Sequence, residues 1–318
     1  MTLLIGTDEA GYGPNLGPLV VAASAWRLTT ADDHAERLHR AAEEIGARAG
    51  IGHPPWADSK QLYKPGLGLL PLERGVLAAL LVIDPKDNFP TDGAWLAGRL
   101  GIDLPPGTAP AEWPLWTAMT IPVAIAPSPL TQLADAVAAT LPRHGVELVA
   151  LCCRILHPAA FNALLDHGLN KSDILSQTTL GLASDLRGLA ADESAVVWCD
   201  RHGGRKSYAA LVGRHFAAPL VRTLTETPAL SAYDIPVAGV RIEFAVGGEA
   251  RVPVALASMT AKYVRELAMA AFNAHWTSLE PGLRPTAGYP LDARRWHAEA
   301  AGAISRAGTP PAALWRRV

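Results

Sequence analysis

The chain has 318 residues, 49% of them hydrophobic and 18% charged, a balance that excludes global disorder and supports a sizeable buried core. A formal net charge of -2 excludes an overall basic field, so any contact with nucleic acid needs a local patch. The three cysteines, Cys152 and Cys153 side by side and Cys199 apart, suit reduced core thiols better than a disulfide framework or a zinc site. With no basic leader and no apolar run near the roughly 20 residues of a membrane helix, the expectation is a cytoplasmic protein that does not contact membrane.

Two apolar segments, over 3–7 and 18–26, read as strands flanking the turn-rich GYGPNLGP, because Val and Leu runs bounded by Gly and Pro favour extended backbone. Helical spacing of Ala, Glu and Arg predicts a helix over 31–49. Residues 84–128 are rich in Pro and Gly and hold Trp95, Trp113 and Trp116 with no sustained period. They read as an irregular insertion whose tryptophans make a local core. A helix over 130–141, a strand over 146–156 and a long helical region over 158–190 follow. SAVVWC is a compact apolar strand that ends on Asp200. Strand character over 237–254 is broken by Gly247 and Gly248, and 256–274 is an amphipathic helix. Helices alternating with strands imply an α/β fold. No internal repeat is present, so the chain reads as one domain with insertions.

The segment TDEAGYGPNLGP places Asp8 and Glu9 where an apolar strand runs into a loop holding Gly11, Gly13 and Gly17. Neighbouring side chains on a strand point to opposite faces, so both carboxylates reach one centre only near the strand end. Magnesium and manganese take carboxylate and water oxygens, and phosphodiester hydrolysis gains when two such ions hold the attacking and leaving oxygens in line. Alone, the Asp-Glu pair reads equally well as a solvated turn.

DEAGYGPNLGPLV, ADSKQL over 57–62, ALASMTAKYVRE over 255–266, GYP over 288–290 and the closing GTPPAALWRRV occur in one order. In that order they resemble the motifs of the type 2 ribonucleases H, specifically ribonuclease HII. The resemblance implies a ribonuclease H-like α/β fold, a central mixed sheet flanked by helices, with a C-terminal helical substrate-binding region near 267–318. It implies Asp8, Glu9, Asp200 and Glu266 as catalytic metal ligands for two Mg2+ or Mn2+ ions. Asp185 and Asp192 compete with Asp200, and Glu266 departs from the family's usual Asp. The implied reaction is hydrolysis of the RNA strand of RNA/DNA hybrids, or of ribonucleotides embedded in duplex DNA, by a monomer.

An RNA-specific site must sense the 2′-hydroxyl. The resemblance gives that role to Gly11, Gly13 and Tyr289, and gives phosphate contacts to Lys60 and Lys262. Tyr12 stands where the family has arginine, which leaves stacking on a nucleotide and packing against the fold both open, together with the preferred linkage. An inactive nucleic-acid-binding relative and a nuclease for another nucleic acid are the alternative readings. Arg201, Arg205 and Lys206, and Arg294, Arg295, Arg306, Arg316 and Arg317, form candidate basic patches. His202 is a candidate proton carrier or an inert loop residue.

Overall fold

The apolar run at the start of the chain becomes the middle of a sheet. In a computed structural model, which describes residues 1–29, 33–58, 62, 68–85, 89–104, 107–190 and 192–317, strand β1 spans Thr2–Ala10. It lies between β2 (Leu19–Leu28) and β4 (Ser194–Asp200), and both of its faces are covered, so the strand is apolar throughout instead of alternating. Beyond β2 lies β3 (Val146–Leu156). Beyond β4 come β7 (Val240–Ala245), β6 (Leu230–Ile235) and β5 (Arg222–Glu226), giving the order β3-β2-β1-β4-β7-β6-β5. β1, β4 and β7 run parallel, and the other pairings are antiparallel. The expected central mixed sheet is present.

Helices cover both faces. They are α1 (His34–Arg48), α2 (Leu70–Ile83), α3 (Gly93–Arg99), α4 (Trp113–Thr117), α5 (Pro127–Thr140), α6 (Pro158–Asp166), α7 (Lys171–Arg187), α8 (Ala209–His215) and the long α9 (Val252–Leu279). The C-terminal region adds α10 (Pro290–Glu299), α11 (Ala301–Ala307) and α12 (Pro311–Leu314). Leu4, Val20, Ala22, Trp26 and Trp198 face a core built with α1, α2, α5 and α9. Leu3, Ile5, Val21, Val197 and Cys199 face the other, built with α7 and α8. A third cluster joins Leu16 to Met269, Phe272 and Trp276 of α9 and to Trp296, fastening the C-terminal helices onto the glycine loop.

Two contacts fix this assembly where it matters for the site. Gly6 lets α9 lie directly on β1, since a Cβ there would stand 2.2 Å from the Pro253 carbonyl carbon. On α2, the fully buried Glu73 carboxylate accepts the backbone N–H groups of Val123, Ala124 and Ile125 at 2.6–2.8 Å and the Tyr263 hydroxyl at 2.7 Å. One carboxylate thereby ties the segment before α5 to α9, and each charge-assisted bond is stronger than a neutral one.

Several local expectations change. The segment 84–128 holds α3 and α4 and is not wholly irregular; Trp113 and Trp116 stack at 4.7 Å, and Trp116 is buried. The region 158–190 divides into α6 and α7, because Gly168 takes a left-handed φ of 87° and Asn170 starts a new helix with a capping box closed by Asp173. Strand character over 237–254 ends at Ala245, and α9 begins at Val252 with Pro253 in its first turn.

Candidate active site

β1 and β4 are in parallel register, Thr7 beside Cys199, so Asp8 and Asp200 follow side by side where the pair ends. Asp8 shares the α9 face with Leu4, and Asp200 shares it with Trp198. Glu9 belongs to the opposite face, and comes within electrostatic reach of the others because the strand gives way to the glycine loop after Ala10. Asp200 accepts the N–H of Gly248 at 2.9 Å, an approach that suits a residue without a side chain: a Cβ on Gly248 would stand 3.2 Å from the Asp200 Cα. That turn carries Glu249, whose carboxylate accepts the Ser258 hydroxyl of α9 at 2.8 Å.

Asp8, Glu9, Asp200 and Glu249 therefore form one electrostatic unit. Burial, then Glu9 and Asp200, push the Asp8 carboxyl well above its ordinary value, against a Ser258 hydrogen bond that lowers it and with Glu249 adding to the rise. Burial and then Asp200 push Glu9 up to about 7. Crowded, buried carboxylates that resist ionisation are a donor set a divalent cation would relieve, and an all-oxygen set suits Mg2+ or Mn2+. Among the described residues no three His, Cys, Asp or Glu side chains already form a closed metal-binding group. The fit rests on the chemistry and charge of the donors.

Glu266 stands apart from this unit. It lies eight residues beyond Ser258 on α9, about 12 Å along the axis, with its carboxylate 4.0 Å from Arg265, and it is absent from the groups acting on Asp8 or Glu9. Glu249, which sequence reasoning passed over, occupies the place expected of Glu266. The available signal was a carboxylate directly after Gly247 and Gly248 at a strand end, the same cue that marked Asp200. Asp185 instead pairs with Arg154 on the outside of α7.

The glycine loop is clamped in place. Gly11 has φ 85°, and a Cβ there would meet the Pro18 carbonyl oxygen at 2.5 Å and Arg265 Nε at 2.6 Å. Arg316 is buried; it donates to the Gly11 carbonyl at 2.6 Å and to the Pro14 carbonyl. Asn15 and Leu16 donate backbone N–H groups to the Gly288 carbonyl at 2.8 and 3.2 Å, which brings the GYP segment against the loop. Gly13 thus faces the Tyr289 ring, a Cβ there standing 3.8 Å from it, and Tyr289 is 56% exposed. Lys262, one turn past Ser258, falls on the same face of α9. Lys60 lies outside the described residues.

The expected basic patches are largely committed to the protein itself. Arg316 braces the loop, and burial, then Arg265, bring its guanidinium down to about 9. Arg317 pairs with Asp166, Arg295 with Asp292 and Glu299, Arg306 with Glu280, and Arg205 with Asp173. Arg201 donates to the carbonyls of Thr227 and Pro228. His202 is a core residue: its Nδ1 lies 3.0 Å from the Ser176 hydroxyl, and burial brings its pKa down to about 3.

The fold and site define a mixed-sheet α/β protein with crowded carboxylates at the ends of its central parallel strands. No family model matches the chain, and no curated protein sequence matches it. Among solved structures it is similar to the RNase HII of Archaeoglobus fulgidus, described in complex with PCNA, at 15% identity over 98% of this chain and 93% of that one, with a TM-score of 0.42. It is similar to the ribonuclease H2 of Pyrococcus horikoshii at 14% identity over 98% and 92%, with a TM-score of 0.47. A third likeness is to Bst-RNase HIII in complex with Mn2+, at 15% identity over 100% and 66%, with a TM-score of 0.40. No helix among the described residues is long and apolar enough to cross a membrane.

Proposed function

We propose that the chain is a metal-dependent endonuclease of the ribonuclease H type 2 kind, cutting the RNA strand of RNA/DNA hybrids or ribonucleotides embedded in duplex DNA. The observation that carries this reading is the grouping of Asp8, Glu9, Asp200 and Glu249 beside an exposed tyrosine and a clamped glycine loop. Asp8, Glu9, Asp200 and Glu249 would hold Mg2+ or Mn2+, with Glu249 taking the part first expected of Glu266. Such ions, when bound, supply an activated water and neutralise charge on the phosphate.

The protein's own groups do the rest. The Gly248 amide orients Asp200 and the Ser258 hydroxyl orients Glu249, so neither carboxylate must be reorganised when substrate arrives. Gly11 and Gly13 let a sugar approach the backbone, and the Tyr289 hydroxyl is placed to meet a 2′-hydroxyl, the group that separates RNA from DNA. The chain acts as one catalytic unit, a monomer in the cytoplasm, with the C-terminal helices setting the loop.

Cleavage of a labelled RNA/DNA hybrid in Mg2+ or Mn2+, with Asp8→Asn in parallel, tests the reading. Wild type should cut, leaving 5′-phosphate and 3′-hydroxyl ends, and Asp8→Asn should lose about 100-fold or more of the rate. Equal rates, or no cleavage of any hybrid or embedded ribonucleotide, would overturn it.

A further inference from the structure

A crowded carboxylate cluster repels the polyanion it is meant to cut, so a cation must hold the strand at its edge. Most arginines around this site are already paired with acids or carbonyls, as described above. Lys171, at the start of α7, is different. Its ammonium lies 4.6 Å from the centre of the Tyr12 ring, and among the described residues that ring face is its sole recorded partner. The acids nearest in sequence are taken: Asp173 by Arg205 and by its own helix cap, Asp166 by Arg317. Burial, and then the like charge of Arg316, disfavour the Lys171 ammonium, which an arriving anion would reverse.

Tyr12 fixes where this charge sits. It follows Glu9 by three residues in the glycine loop, and its hydroxyl responds to Glu9 on one side and Arg205 on the other. Gly203, at φ 55°, leaves room for it, since a Cβ there would come within 3.7 Å of the Tyr12 Cε1 and hydroxyl. The ring is therefore a spacer between the carboxylates and the lysine, and its face attracts the ammonium by about 0.5–2 kcal/mol.

We propose that Lys171, held on the face of Tyr12, binds a backbone phosphodiester of the nucleic-acid strand at the Glu9 edge of the carboxylate cluster, with Tyr12 as its positioning residue. This rests on the nuclease reading and deepens it. A lysine contacts phosphate as a point charge and reads no sequence, so it contributes affinity common to every duplex.

The test is binding of a short fluorescein-labelled RNA/DNA hybrid, and of the same sequence as DNA duplex, in EDTA across a range of NaCl concentrations, followed by kcat and KM in Mg2+. Lys171→Ala should weaken both duplexes about five- to tenfold at low salt and make the slope of log K against log salt shallower by about one. KM should rise by the same factor with kcat little changed, and Lys171→Arg should restore the slope. Tyr12→Phe keeps the ring and the slope, whereas Tyr12→Ala weakens binding and adds little to Lys171→Ala. Parallel salt slopes for wild type and Lys171→Ala would overturn the proposal while leaving Asp8-dependent cleavage standing. A wild type that binds neither duplex would overturn both.

Discussion

His157 caps the turn from β3 into α6 and is 5% exposed, and among the described residues neither of its ring nitrogens finds a hydrogen-bond partner. Its ring meets Trp113 edge-on at 6.1 Å. Burial brings its pKa down from 6.5 to about 4, so the native state binds fewer protons than the unfolded state between these values. Stability from this residue is fully present above pH 6.5 and lost as pH falls through that window, at about 1.4 kcal/mol per pH unit and about 3 kcal/mol in all. His157→Phe keeps the planar shape and removes the titration, so at pH 7.5 its stability should match wild type within about 1 kcal/mol. Urea unfolding at half-unit steps from pH 4.5 to 7.5 should show the mutant gaining on wild type steadily below pH 6.5. A difference between the two proteins that stays constant with pH would refute the reasoning.

Glu73→Ala removes the acceptor shared by three backbone amides and Tyr263, and should cost about 3–5 kcal/mol by urea unfolding. Glu73→Gln, which retains one carbonyl acceptor, should fall between that variant and wild type. At the active site, Glu249→Gln should lower kcat about 100-fold or more, and Glu266→Gln less than tenfold. The reverse ranking in a cleavage assay would restore Glu266 to the site and remove Glu249 from it.

The carboxylates differ in how openly the sequence displays them. Asp8, Glu9 and Asp200 each end an unbroken apolar strand, a pattern visible without any tertiary knowledge. Glu249 is hidden because its position depends on where α9 begins. The helical period suggests a start at 256, whereas packing of Pro253 on Gly6 draws the helix back to Val252 and leaves Glu249 in the turn before it. The β5–β6 hairpin escaped notice for a related reason: RTLTE forms an exposed edge with Leu224 its lone large apolar residue, so no buried face imprints a two-residue period. α3 and α4, seven and five residues long, are too short to nucleate alone and exist through the tertiary contacts around them. Arg316 looked like a surface cation until its carbonyl partners, 302 and 305 residues earlier in the chain, came within reach.

That long reach also sets a timetable. A ribosome that has made residues 1–280 has already emitted all four carboxylates and the whole sheet, yet the loop beside them still lacks the Gly288 carbonyl and the Arg316 guanidinium that shape it. Until those last turns dock, a nascent chain holds the acidic cluster without a fixed place for the strand to lie. Hydrolytic competence then arrives in one late step, after the core is closed, which spares the translating cell a partly built nuclease near its own messenger.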